Sequence, residues 1–133
     1  MVGTVGKVFV TKVDSDSVEK DNSFSKAYAF YVALSETPAP IWIELFMTRY
    51  ETTFTNLKRQ MTIQGNRVRV VTAPGEEEDH VRFLRHVVDE TNKDVDEYNK
   101  KLARQAAGQG ALKKMEDAEA QQIKERLRRI SII

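Results

Sequence analysis

A chain of 133 residues, 41% hydrophobic and 31% charged, is long enough to bury one core without covalent staples. It contains no cysteine, which excludes disulfides, thiol catalysis and thiolate metal sites. The formal net charge of +1 hides an uneven distribution: residues 1–72 carry nine bases against seven acids, 73–98 three against nine, and 99–133 nine against four. No stretch approaches the roughly 18 apolar residues of a membrane span, and Met1 to Val13 lacks the layout of a signal peptide, so the expectation is a cytoplasmic protein with no membrane partner.

Thr4 to Val13 is rich in β-branched residues and reads as a first strand, followed by a polar, solvent-exposed loop from Asp14 to Ser23. Asp14, Asp16 and Asp21 lack the glycine and glutamate of an EF-hand loop, so no calcium site is assigned to them. In the next stretch Tyr28, Phe30, Val32 and Leu34 alternate with Ala27, Ala29, Tyr31 and Ala33, the period-2 pattern of a central strand with a bulky and a small face. The small face leaves room for a helix to approach closely. Thr37 and Pro38 then read as an N-cap and first helical residue, and Ile41, Trp42, Leu45 and Phe46 form i, i+4 pairs on a buried helix. The competing reading of Ile41, Ile43 and Leu45 is a strand. Trp42 and Phe46 at helical spacing are read as core rather than as a ligand-stacking box.

Thr52 to Thr55, with Phe54, ends this helix. Gln60 to Gln64 and Arg67 to Val71 then form a hairpin around Gly65 and Asn66, with glycine at the first central position of a type II′ turn. If Gln64 faces Arg67, then Ile63 faces Val68 and Met61 faces Val70, which places all four apolar side chains on one face and Arg67 and Arg69 on the other. Ala73, Pro74 and Gly75 close the strand, and Glu76 to Asp79 supply the negative charge that a helix N-terminus favours. Val81, Leu84, Val88, Thr91, Val95, Tyr98 and Leu102 follow at spacings of three and four, a heptad stripe. Within it Thr91 is expected to bond back to its own helix, and Asn92 to lie beside the stripe and set register with a partner. Gln105 to Gly110 reads as a break with Gly108 as a C-cap, after which Leu112, Met115, Ala120, Ile123, Leu127 and Ile130 form a second amphipathic helix. Ile130, Ile132 and Ile133 leave an apolar terminus that points to docking.

The expected fold is therefore α+β: a four-stranded, mainly antiparallel sheet in the order ββαββ, with a central helix on one face and two C-terminal helices, the first long and projecting. Residues 1–104 form one domain and 105–133 an amphipathic helix that packs on the domain or on a second copy. No nucleotide-binding glycine loop or nucleophile elbow is present, and His80 and His86 lie about 240° apart around a helix and cannot share one metal. His86 and Glu90 are read as a surface pair. The reading is thus a protein without enzymatic activity, cofactor or metal, working as an interaction or assembly protein. It self-associates, a dimer first, through Val88, Thr91, Val95, Tyr98, Leu102, Leu112, Met115, Ile123, Leu127 and Ile130, and a different protein partner stays open. The alternative is a nucleic-acid-associated protein, without sequence specificity, that uses Lys100, Lys101, Arg104, Lys113, Lys114, Arg126, Arg128 and Arg129. No aromatic interleaves these bases, so base readout is not expected.

Overall fold

The computed structural model describes residues 4–53, 55 and 59–130. Phe54, Ile132 and Ile133 lie outside the described residues. The elements are β1 (Val10–Lys20), β2 (Tyr28–Leu34), α1 (Pro40–Thr52), β3 (Met61–Gln64), β4 (Arg67–Thr72) and α2 (Glu77–Arg129). The four strands form one antiparallel sheet in the order β1-β2-β4-β3, an α+β fold with β2 and β4 inside and β1 and β3 at the edges. The chain divides into two compact units, Met1–Glu97 and Tyr98–Ile133.

The hairpin register is the one that its sequence pattern requires, with Met61 opposite Val70, Ile63 opposite Val68 and Gln64 opposite Arg67. Gly65 has φ 61°, and Asn66 is not among the residues with positive φ, the pattern of a type II′ turn rather than a type I′ turn. Through β2 the register extends the same two faces. Phe30 lies opposite Val70 and Val32 opposite Val68, so the bulky face of β2 joins the apolar face of the hairpin and carries core. On the other face, Tyr31 lies opposite Arg69 and Ala33 opposite Arg67. That face is covered by polar side chains where a helix was expected: the Arg67 guanidinium sits 4.3 Å from the centre of the Tyr31 ring, and Arg69 reaches Glu19 and Asp21, each at 2.9 Å.

Three local expectations are corrected. The first strand is Val10–Lys20 rather than Thr4 to Val13, so most of the expected loop is strand. An edge strand with no buried side shows no apolar alternation, and the pairing of β1 with β2 is irregular between Asp14 and Glu19. There the Ser17 hydroxyl accepts the Tyr31 N–H at 2.8 Å and donates to the Asp14 carbonyl at 2.7 Å, a side chain standing in for ladder bonds. Helix α1 begins at Pro40, with Ala39 as an N-cap that makes no side-chain bond, rather than at Thr37 and Pro38. The strand alternative for Ile41 to Leu45 falls with it.

The third correction is the largest. The two expected C-terminal helices are one element, and the break at Gln105 to Gly110 does not occur. A helical glycine costs only about 1 kcal/mol relative to alanine, and Gln105, Ala106, Ala107, Gln109 and Ala111 around Gly108 and Gly110 are residues that favour a helix. Its start matches the sequence reading, with Glu77, Glu78 and Asp79 in the first turn.

Within the first unit, α1 is tied to α2 by aromatic stacking and two polar links. Trp42 stacks on Phe46 with ring centroids 5.5 Å apart, Phe46 on Tyr50 at 6.4 Å, and Tyr50 meets Phe83 of α2 at 5.9 Å. Trp42 and Phe46 are fully buried, so the aromatic stripe is core. Burial also raises the pKa of the Tyr50 hydroxyl. Arg49 makes a two-pronged contact with Asp94, its Nε donating at 2.6 Å and Nη2 at 2.8 Å. The second link is Asn92, a buried residue of α2: its Oδ1 accepts from Trp42 Nε1 at 3.0 Å and from the Val8 amide at 3.2 Å, while its Nδ2 donates to the Val8 carbonyl at 2.8 Å. The segment before β1, with Val5 and Val8 buried, is thereby held to α2 by the Asn92 amide and, at the surface, by Lys7 Nζ 3.2 Å from Asp96 Oδ2.

Candidate functional site

Among the described residues, two apolar surfaces and two polar clusters are the candidates for a site of action. The first surface is a groove of about 640 Å³ in the first unit. Its apolar wall comes from Val13 and Val18 of β1, Tyr28 and Phe30 of β2 and Val81 of α2, and its acidic residues are Asp14, Glu77 and Glu78. The bulky face of the sheet forms one side because Tyr28, Phe30 and Thr72 point there, and the first turns of α2 form the other. Among the described residues no lysine or arginine lines it. Such a groove can shelter an apolar group, but it gathers few polar groups for chemistry. Glu78 is also engaged at the surface by Arg82 at 3.1 Å.

Behind the groove wall lies the first cluster. His80 is buried, its Nδ1 is 2.7 Å from the Thr72 hydroxyl, and its Nε2 is 3.7 Å from Glu76 Oε1. Glu76 is also 3.4 Å from Arg59, whose guanidinium lies 4.5 Å from the centre of the Phe24 ring. A hydroxyl, an imidazole and a carboxylate thus stand in line, but His80 is 1% exposed and no substrate reaches it. The arrangement holds β4 to the first turn of α2. His86 is exposed, on a different face from His80, as their spacing requires. Among the described residues no group of three or more His, Asp or Glu side chains comes together as metal ligands.

The second cluster is Arg69 with Glu19 and Asp21. The carboxyl of Glu19 is held below its usual pKa first by its hydrogen bond from Arg69 and then by that from Tyr31. That of Asp21 is lowered first by the Ser23 hydroxyl, then by the Ser23 amide and by Arg69. Because the folded-state values are depressed, the stability these groups contribute is present above the ordinary carboxylate range and is lost as the pH falls through the depressed values. Thermal unfolding followed against pH is therefore expected to show a midpoint that falls on acidification, and Arg69→Met is expected to shrink that fall. An unchanged pH profile in Arg69→Met would show that Arg69 contributes nothing to it.

The residues expected at a partner interface separate into three groups. Val88, Thr91 and Val95 are buried inside the first unit at 2%, 0% and 0% exposure. Thr91 donates to the Val87 carbonyl at 2.7 Å, the back-bond its place in the stripe requires. Asn92 faces the core of its own chain, where it was expected to face a partner. Tyr98 and Leu102 are half-buried. The other five, Leu112, Met115, Ile123, Leu127 and Ile130, are between 53% and 64% exposed and form the second apolar surface. At about 100° per residue they fall within about 120° of the helix circumference.

The expected nucleic-acid contacts, Lys100, Lys101, Arg104, Lys113, Lys114, Arg126, Arg128 and Arg129, are all exposed on the second unit. On the same wheel they are spread around the helix rather than gathered on one face, with Lys101 and Arg126 inside the apolar sector and Lys114 and Arg128 opposite it.

The groove and the Asn92 contacts escaped sequence reading because they join residues far apart in the chain, whereas His80 meets Thr72 eight residues back and Glu76 four back, a spacing with no pattern that marks it. One signal was available for the groove: Val13 and Val18 are apolar residues in an otherwise polar stretch. Among the described residues no helix is long and apolar enough to cross a membrane. No family model, no curated protein and no solved structure matches this chain, so its residues and their geometry alone bear on what it does.

Proposed function

We propose that this is a non-catalytic assembly protein that self-associates through the last part of its C-terminal helix, as a dimer first. One observation carries the reading: Leu112, Met115, Ile123, Leu127 and Ile130 stand between 53% and 64% exposed along one side of α2. Scattered apolar side chains are ordinary on a surface, whereas five large ones along one side of a helix mark an interaction site. The bases of the same helix surround it, which favours this reading over a nucleic-acid surface, where cations concentrate on one face.

Light scattering on a sizing column tests it. The wild-type chain, 15.2 kDa, is expected to elute with the mass of two copies, and Ile123→Asp/Leu127→Asp with the mass of one. A wild-type protein of one-chain mass at tens of micromolar would remove the proposal, and binding to a duplex oligonucleotide that weakens steeply with salt would then favour the nucleic-acid reading.

A further inference from the structure

We infer that the exposed stripe of α2 is built to pair antiparallel with the same stripe of a second copy, about a two-fold axis at Gln121; the inference rests on the self-association proposed above. The stripe reads almost the same in both directions. An axis at Gln121 sets Leu112 level with Ile130 of the second copy, Met115 with Leu127, and Glu119 with Ile123. Each apolar position outside the centre thus meets an apolar position. The steps from Leu112 through Met115, Glu119, Ile123 and Leu127 to Ile130 average the 3.6 residues of an uncoiled helix, so the contact closes on itself over this length without a long supercoil.

Charge selects the direction. In the antiparallel arrangement Arg126 is level with Glu116 of the other copy and within one turn of its Glu119, so base meets acid twice by symmetry. A parallel pair in register sets Glu116 on Glu116, Glu119 on Glu119 and Arg126 on Arg126, three like-charge contacts beside the seam. The seam gathers five large apolar side chains from each copy, none less than 53% exposed in the single chain. Covering ten such side chains removes on the order of 1,000 Å² from water, about the least that a specific interface buries.

The absence of cysteine makes disulfide trapping a clean test. Leu112→Cys and Ile130→Cys are prepared separately in the full-length chain and oxidised alone and mixed. In the antiparallel pair two copies of Cys at 112 stand about 27 Å apart, at 1.5 Å per residue, as do two at 130, while 112 of one copy faces 130 of the other. The expected result is a covalent dimer at least five-fold more abundant in the mixture than in either variant alone, with circular dichroism matching the wild type. Covalent dimers in each variant alone would overturn the antiparallel axis and favour a parallel pair. A two-chain mass by light scattering without cross-linking in the mixture would also overturn the axis, and would leave self-association standing through another surface. A one-chain mass would remove both.

Discussion

Asn92→Leu is expected to lower the free energy of unfolding by about 3–5 kcal/mol, because it strips partners from three buried groups at once. The Trp42 indole N–H, the Val8 amide and the Val8 carbonyl all bond to the one side chain. A buried polar group left unpaired costs about 1–3 kcal/mol, and Trp42 is fully buried and Val8 1% exposed. Asn92 itself is 6% exposed, so a water can replace part of what is lost, which keeps the expected total below the upper sum. Against a domain stability of about 5–15 kcal/mol, this is a large share. Urea unfolding measures it. Trp42→Phe removes the indole donor together with part of a fully buried ring, so its own cost includes a cavity, and the double variant is expected to cost less than the sum of the two, since they share a bond. A loss below about 1 kcal/mol for Asn92→Leu, the size of an ordinary surface change, would show that these bonds do not hold the N-terminal segment to α2.

The second large effect comes from two substitutions that look alike in the sequence. Val95 and Leu127 are both apolar positions of helical stripes, yet Val95 is fully buried and Leu127 is 61% exposed. Val95→Asp places a carboxyl in the core with no base provided for it, and its cost of more than about 4 kcal/mol is expected to unfold the first unit or leave it marginal. Leu127→Asp removes no packing within the described chain and is expected to leave the thermal midpoint of the first unit unchanged while weakening association. Near-ultraviolet circular dichroism, which reports on Trp42 and the rings stacked beyond it, separates the two outcomes. A Val95→Asp protein with wild-type near-ultraviolet signal and midpoint would mean that the stripe before Tyr98 is not core. For the same reason Val95 is unsuited to testing assembly, and Ile123 and Leu127 are the positions to change.

Local pattern was enough for the α+β class, the ββαββ order, the hairpin register from Gln60 to Val71 and the acidic start of α2, because each depends on residues close in sequence. Alternation determines which side chains share a face, turn residues determine register, and charge at a helix end acts within one turn. Local pattern misled where competing effects were small: the glycines at 108 and 110 lower helix propensity without ending a helix among alanines and glutamines. It also misplaced the exposed edge strand β1, reading Asp14 to Lys20 as loop, because no buried face imposes a period there. What only the tertiary structure decided is which half of the long apolar stripe is already satisfied. Heptad spacing is the same whether the neighbour is α1, the sheet or a second copy, and burial depends on contacts such as Trp42 to Asn92 that join residues 50 apart. The sequence by itself therefore determined that an apolar side runs from Val81 to Leu102 and again, beyond Gln105 to Gly110, from Leu112 to Ile130. The packing of α1, the sheet and the N-terminal segment decided that Val88, Thr91 and Val95 are core, and left Leu112 to Ile130 as the part of that side still open to water.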